Sequence, residues 1–161
     1  MDILLLMTGF MTYSRIPMAL ALSSVTLRKT GVEVEKCLDE DLPPCHADPQ
    51  LIEQVVLNLI TNAAEAMKDM DDGKIIRVSA STKRESIVVS VEDSGPGIAP
   101  DRRHKIFDPF YSTKTGSTGI GLSLSHRIIT DHGGSLDVGA SPLGGAEFNI
   151  CLPSATGDLI P

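Results

Sequence analysis

With 161 residues, 42% of them apolar, the chain can bury one sizeable core, so a single domain with at most a short appendage is expected. Its 14 Lys and Arg against 21 Asp and Glu leave a net charge of −7 with no basic run, which excludes nonspecific nucleic-acid binding. A polyanionic ligand would have to be held by local donors and a metal ion rather than by overall charge.

Residues 2–14 carry Ile3, Leu6, Met7, Phe10 and Tyr13 at helical spacing, and Arg15-Ile16-Pro17 breaks that helix. The run begins with an acid, lacks a basic n-region and is too short to span a membrane, so it is not read as a targeting segment. Its apolar stripe has no obvious partner in the remaining chain, and the expectation is the cut end of a longer helix. Residues 18–29 give a second helical pattern ending at Gly31, residues 32–38 alternate as a strand, and residues 39–47 form an acidic, proline-containing loop. Cys37, Cys45 and Cys151 lack metal-ligand spacing, and an odd count outside a small disulfide scaffold fits reduced thiols in a cytoplasm.

The organising stretch is residues 48–70. Asp48 is a good N-cap and Pro49 sits at the first helical position, where its missing N–H costs nothing. Leu51, Ile52, Val55, Val56, Leu59, Ala63 and Met67 make a broad apolar face, and Asp71-Asp72-Gly73 closes the helix with Gly73 as a left-handed stop. Gln54, Asn58, Asn62 and Glu65 stack along one polar side. Asparagine is a poor mid-helix residue because its amide competes with the backbone for hydrogen bonds. Two of them one turn apart are either a solvated face that carries amides or a row facing a ligand.

Residues 74–80 and 86–92 alternate with period two, and the short link 81–85 predicts a hairpin. Residues 93–98 are too rich in turn formers to be regular, 100–107 read as a short helix, and 108–118 as a polar, mobile loop. Gly119-Ile120-Gly121 opens a helix over 122–131 that Gly133-Gly134 ends. Two last strands, 135–139 and 146–152, are joined through 141–145, and the tail after Pro153 is expected to be loose. The sum is an α/β two-layer sandwich: about three helices on one face of a mixed, mostly antiparallel five-stranded sheet. The expected divisions are a helix end and linker over 1–16, the main domain over 17–153 and a flexible tail over 154–161.

Asp93 ends a strand and precedes two glycines spaced by one residue. A carboxylate there can accept a hydrogen bond from an exocyclic amine while Gly95 and Gly97 let a flat ring approach the backbone; an ordinary acidic turn has the same pattern. Gly119-Ile120-Gly121-Leu122 puts backbone N–H groups at a helix N-terminus, a ready anion site. Lys114, just before it, offers a cation for a terminal phosphate. Phe107 and Phe110 bracket an Asp-Pro and are expected to anchor this loop to the core.

Taken in order, NLITNAAEA, EDSGPGI, IFDPFYSTK, GSTGIGLSLSHRI and GGAEFNICLP resemble the N, G1, F, G2 and terminal-strand signatures of the catalytic ATP-binding domain of bacterial sensor histidine kinases. That family belongs to a superfamily shared with gyrase, Hsp90 and the mismatch-repair ATPases, and the resemblance covers roughly residues 32–153. It implies the Bergerat ATP-binding fold, with ATP and Mg²⁺ as ligands. It implies Asn62 as the Mg²⁺-coordinating residue, Asn58 near the triphosphate, Asp93 reading adenine, and Gly95, Gly97 and Ile98 along the purine slot. Thr113, Lys114 and Thr118 match the lid, with Lys114 meeting phosphate, and Gly119, Ile120, Gly121 and Leu122 lie under the triphosphate. Asn58, Asn62 and Lys114 would then carry catalysis. The implied reaction is transfer of the γ-phosphoryl group to a histidine on a dimerisation hairpin of a homodimer, and onward to a response-regulator receiver domain, in a cytoplasmic setting without direct membrane contact. Phosphoryl transfer needs positioning and charge neutralisation more than covalent chemistry, which suits this inventory.

Two positions depart from the family pattern. Where many histidine kinases carry a basic residue three positions after the metal asparagine, this chain has Glu65; either it supports the metal shell through water, or phosphate charge is met by Lys114 and another residue. His46, His104, His126 and His132 all fall within the ATP-binding region and none has an acceptor context, so the acceptor is expected outside this chain. Among rivals, ATPases of the superfamily place a glutamate one turn before the metal asparagine to activate water; here that place is Asn58, which cannot act as a base. A serine kinase of the anti-sigma-factor type would share the pocket, and the helix over 2–14 argues against it. A nucleotide-binding pseudo-kinase that controls a partner is disfavoured by the complete set of Asn62, Asp93, Lys114 and glycines.

Overall fold

The computed structural model describes residues 24–113 and 118–155. The helix expected over 2–14, the first part of the one expected over 18–29, Lys114 and the tail beyond residue 155 lie outside the described residues.

Three helices and five strands follow in the order α1 (Ser24–Thr30), β1 (Glu33–Leu38), α2 (Pro49–Ala66), β2 (Ile75–Lys83), β3 (Ser86–Asp93), α3 (Gly121–Asp131), β4 (Ser135–Ala140) and β5 (Ala146–Pro153). The sheet order is β1-β2-β3-β5-β4; β1 runs parallel to β2 and every other pair is antiparallel. Because side chains alternate along a strand, Ile76, Val78 and Ala80 of β2, Ile87, Val89 and Val91 of β3, Leu136 of β4, and Phe148, Ile150 and Leu152 of β5 share one buried face. Helix α2 lies over β2 and β3, α3 over β4, and α1 packs against α2. The expected two-layer sandwich is the observed architecture. Among the described residues no helix is long and apolar enough to cross a membrane.

The opposite sheet face is polar. Arg77 bonds Glu35 at 2.7 Å and Glu92 at 3.2 Å, and burial, then the neighbouring Glu147 carboxylate, pushes the Glu92 carboxyl above its ordinary pKa.

Helix α2 begins as the sequence dictates: Asp48 accepts from the N–H groups of Gln50 (2.8 Å) and Leu51 (3.3 Å). A second tie comes from α3, where His132 Nε2 accepts the Asp48 N–H at 3.1 Å while Nδ1 meets the Ile128 carbonyl at 2.6 Å. That pairing defines the neutral tautomer with its proton on Nδ1. The helix ends at Ala66 rather than at residue 70, capped by Met67. The chain leaves early because Ser94 Oγ donates to the Gly73 carbonyl at 2.6 Å and accepts from Ile75 N–H at 2.8 Å, pinning the connection to the start of β2. Gly73 does take the left-handed conformation, at φ +67°.

Ile52, Val55, Val56, Leu59, Ala63 and Met67 are buried as expected, but the apolar face is broader than the one read from the sequence. Ile60 and Ala64 are fully buried, whereas Leu51, expected inside, is 36% exposed. A helix covered by a sheet below and by helices at its flanks buries more than a single stripe. Two other elements differ. Strands β2 and β3 run up to the Lys83–Ser86 pair, leaving only Arg84 and Glu85 in the turn, with Arg84 at φ 57°. The helix expected over 100–107 is a 3-10 turn at Pro100–Arg102 followed by further turns. A segment this short gains too few backbone hydrogen bonds to propagate a helix on its own.

This packing separates two leucines eight residues apart on α2. Leu59→Ala is expected to cost about 2–5 kcal/mol of unfolding free energy, and Leu51→Ala less than about 1 kcal/mol. Urea unfolding followed by circular dichroism measures both, and equal losses would mean the helix is rotated differently.

Candidate functional site

A cavity of about 520 Å³ opens between the second half of α2, the turn segment after β3 and the start of α3, a size suited to a nucleotide. Its floor is the end of the central sheet, where Asp93, Ala146 and Phe148 line it.

Asp93 is the last residue of β3 and only 3% exposed. Its Oδ1 accepts from Gly95 N–H at 2.8 Å and from Ala146 N–H at 3.2 Å, and its main-chain carbonyl accepts Gly145 N–H at 3.1 Å. Burial pushes the carboxyl pKa up, and the two N–H donors partly offset it. Oδ2 takes no hydrogen bond among the described residues, so a carboxylate held rigid through one oxygen keeps the other available as an acceptor at the cavity floor. The clamp requires glycine at position 145, because a Cβ there would overlap Asp93 Oδ1. The motif GGAEFNICLP contains Gly145 and Ala146, but the sequence assigns them no part in holding Asp93. Only the β3–β5 register, with Glu92 opposite Glu147, brings them beside Asp93.

The polar side of α2 divides. Asn62 and Glu65 line the cavity, as do Ala66, Lys68 and Asp69. Gln54 and Asn58 do not; they face a smaller groove of about 280 Å³ between α2 and α3, where Asn58 Nδ2 donates to Ser125 Oγ at 3.0 Å. Gly121 borders both spaces. The amide row read as one stripe thus turns into two environments where α3 crosses α2.

Across from α2, Gly97, Ile98, Tyr111, Ser112, Thr113, Gly119, Gly121 and Leu122 line the cavity. Gly95 acts through its N–H on Asp93 rather than on the wall, and Thr118 and Ile120 are exposed and off the lining. Phe110 N–H donates to the Gly119 carbonyl at 3.0 Å, closing the base of the loop between them. Phe107 does anchor that loop, half-buried against the core with its ring 5.1 Å from that of His126. Phe110 does not: it is 78% exposed at φ 66°, its side chain turned away from the core by the backbone pairing with Gly119. Helix α3 starts after Ile120 with no side-chain cap, leaving amide groups without a side-chain acceptor near the cavity.

Lys68 and Arg102 also line the cavity, two cations that no motif marked. None of the four histidines does. Among the described residues no group of three or more His, Cys, Asp or Glu could cage a metal. The oxygens of Asn62 and Glu65 on one wall are the donor type that would suit a hard cation such as Mg²⁺, whose chemistry there would be to offset phosphate charge.

Comparison with known proteins agrees with this geometry. Residues 47–156 match the family described as histidine kinase-, DNA gyrase B- and HSP90-like ATPase. The signal transduction histidine-protein kinase AtoS of Escherichia coli K12 is 42% identical over 72% of this chain and 19% of its own length. The sensory histidine kinase/phosphatase NtrB of Rhizobium meliloti is 38% identical over 78% of this chain and 36% of its own. The chain therefore spans about a fifth to a third of the length of these relatives. The catalytic domain of histidine kinase ThkA superposes with TM-score 0.77 at 32% identity, over 88% of this chain and 91% of that one. Full-length ShkA in complex with AMPPNP gives TM-score 0.77 at 30% identity, over 89% and 30% of the two chains. ThkA in complex with the response regulator TrrA gives 0.75 at 30%, over 88% and 40%. The chain belongs to the histidine kinase-, DNA gyrase B- and HSP90-like ATPase family, as a catalytic domain of the sensor histidine kinase kind.

Proposed function

We propose that this domain binds Mg·ATP and presents its γ-phosphoryl group to a histidine on a dimerisation hairpin outside this chain, for onward transfer to a response-regulator aspartate. The observation that carries the reading is the Asp93 carboxylate, fixed by Gly95 and Ala146 at the cavity floor with one oxygen available. An exocyclic adenine amine is the donor that oxygen suits, and the purine would then lie along Gly97 and Ile98 with its phosphates toward Asn62 and the start of α3.

Asn62 is the residue we place on Mg²⁺, with Glu65 supporting the shell through water. When bound, Mg²⁺ neutralises phosphate charge and orients the triphosphate. The chain's own contribution is position: the amides of Gly121 and Leu122 toward phosphate oxygens, Lys114 from the loop before them, and the walls that limit water. Lys68 and Arg102 add positive charge at the rim. Asn58, one turn before Asn62, offers an amide where a hydrolysing relative would need a base, which favours transfer to an acceptor over hydrolysis. The complex of ThkA with TrrA supports a receiver domain as the downstream partner.

The transfer itself is tested by incubating the domain with labelled ATP, Mg²⁺ and the dimerisation hairpin of its parent protein. Acid-labile phosphate should appear on the hairpin and not on this domain alone; phosphohistidine on the isolated domain would place the acceptor inside it.

Asp93→Asn separates recognition from folding. Asn keeps an oxygen for the Gly95 and Ala146 N–H groups but turns an N–H₂ toward the adenine amine, so adenosine affinity should fall about 10–100-fold. Stability should move the other way. A carboxyl whose folded pKa is raised contributes most below its unfolded pKa and loses that contribution as pH rises through the folded value, so a neutral amide in its place escapes the burial cost that the charged form carries. The variant should therefore melt no lower than the wild type at pH 7, and a matched loss of melting temperature and affinity would make Asp93 purely structural.

Lys114→Ala should weaken Mg·ATP by about 3–10-fold while leaving adenosine unchanged, because a loop cation acts on the phosphate end only. Calorimetry with both ligands reads the split.

A further inference from the structure

Asn58 stands one turn before the residue assigned to Mg²⁺, yet it does not line the cavity; its side chain is held by α3 instead. Its Nδ2 donates to Ser125 Oγ at 3.0 Å, and Ser125 is 3% exposed among the buried isoleucines Ile128 and Ile129. A buried hydroxyl without a partner is costly, so its presence in that apolar strip calls for the bond it makes. One turn earlier on the same helix, a Cβ at Gly121 would lie 2.6 Å from Asn58 Oδ1. The amide is therefore seated in a notch whose two sides are Gly121, which lets the backbone approach, and Ser125, which supplies the hydrogen bond.

We infer that Ser125 is a positioning residue for the phosphate end of the nucleotide cavity, acting through Asn58 to set the separation between the α2 wall that carries Asn62 and the amides that open α3. The inference rests on the nucleotide-binding reading above and gives Asn58 its task. Residues four apart on a helix share a face, so fixing Asn58 fixes the rotation of α2 at Asn62. Gly121 belongs at once to the notch and to the cavity wall, so a change in the notch reaches phosphate directly. The purine end lies beyond this reach, because Asp93 is held by Gly95 and Ala146 with no part played by α3. Loss of the bond should thus be felt by the charged tail of the ligand and not by its base.

Calorimetry with Mg·AMPPNP and, separately, with adenosine on the wild type, Ser125→Ala, Asn58→Ala and the double variant tests this. Each single variant should weaken Mg·AMPPNP about tenfold, the scale of one hydrogen bond at a charged site, and leave adenosine within about twofold. The double variant should be no more than about twofold worse than the poorer single one, because the two residues act as one unit. In nucleotide-free protein, urea unfolding of the same four proteins should show a coupling between the positions. Unchanged Mg·AMPPNP affinity in Ser125→Ala, an equal loss of adenosine, or losses that multiply in the double variant would each overturn the inference. If Ser125→Ala does not fold, Ser125→Cys, which keeps the shape at a slightly larger volume and weakens the bond, takes its place, with a loss of about threefold expected and no loss overturning. A wild type that binds neither ligand would overturn the nucleotide reading and this inference with it, whereas normal wild-type binding with an unmoved Ser125 variant overturns this inference alone.

Discussion

A carboxylate buried to 3% exposure is an expensive object, and the arrangement around Asp93 is what makes it tolerable. Two backbone N–H groups from different parts of the chain converge on one of its oxygens, and its own carbonyl takes a third from Gly145. None of these donors is a side chain, so the clamp depends on where the backbone runs. That path is set by the antiparallel register of β3 and β5, which places Ala146 across the end of β3, and by the tight turn that brings Gly95 back over Asp93. The apolar ladder behind it, with Val89 opposite Ile150 and Val91 opposite Phe148, holds the register because a one-residue slip would expose every one of those side chains. The core thus serves the site by fixing a register, and the register fixes an acceptor.

Helix α2 carries the other half of the constraint. Its length has three tasks: Ile52, Val55, Val56, Leu59 and Ile60 fill the core, Asn62 and Glu65 form the cavity wall, and Asn58 docks α3. Both ends are tied from afar, the first turn by His132 at the end of α3 and the exit by Met67 and Ser94. Helices α2 and α3 are therefore joined both at Asn58–Ser125 and at Asp48–His132, the one beside the cavity and the other near the far end of α3. Two links along a pair of helices resist rotation as well as separation.

What could be read from the sequence is what depends on neighbours in the chain. The cap at Asp48, the helical spacing of Asn62 and Glu65, the turn after Asp93 and the glycines before α3 are all local patterns, and the structure puts Asn62, Glu65, Asp93, Gly97, Gly119, Gly121 and Leu122 around one cavity. What could not be read depends on register or on packing between elements. Gly145 and Ala146 meet Asp93 only through strand pairing; Lys68 and Arg102 reach the cavity only through the course of the turns after α2 and β3. Asn58 lies on the expected helix and side, and its bond to Ser125 was not legible because spacing alone does not tell where a second helix crosses. Phe110 departs from the expected core packing for a related reason. An aromatic residue is ordinarily core material, but a left-handed backbone paired to Gly119 decides where its ring goes.

An acidic chain that receives a polyanion must offset its own field locally, and α3 shows how. Helices commonly begin with Ser, Thr, Asp or Asn, whose side chain satisfies the first free amides. This one begins after Ile120, whose side chain cannot, and Ser123 turns its hydroxyl to the Ile120 carbonyl instead of to an amide. The start of α3 is thus left with amide donors that its capping residue does not satisfy. A phosphate group placed there would do the work of a cap, and the helix end would gain the stability that a capping residue gives elsewhere. Ligand binding and the order of that helix end then become one equilibrium, because a ligand that completes a cap stabilises the state that binds it. The apolar residue at the capping position is consistent with a site whose cap is supplied from outside.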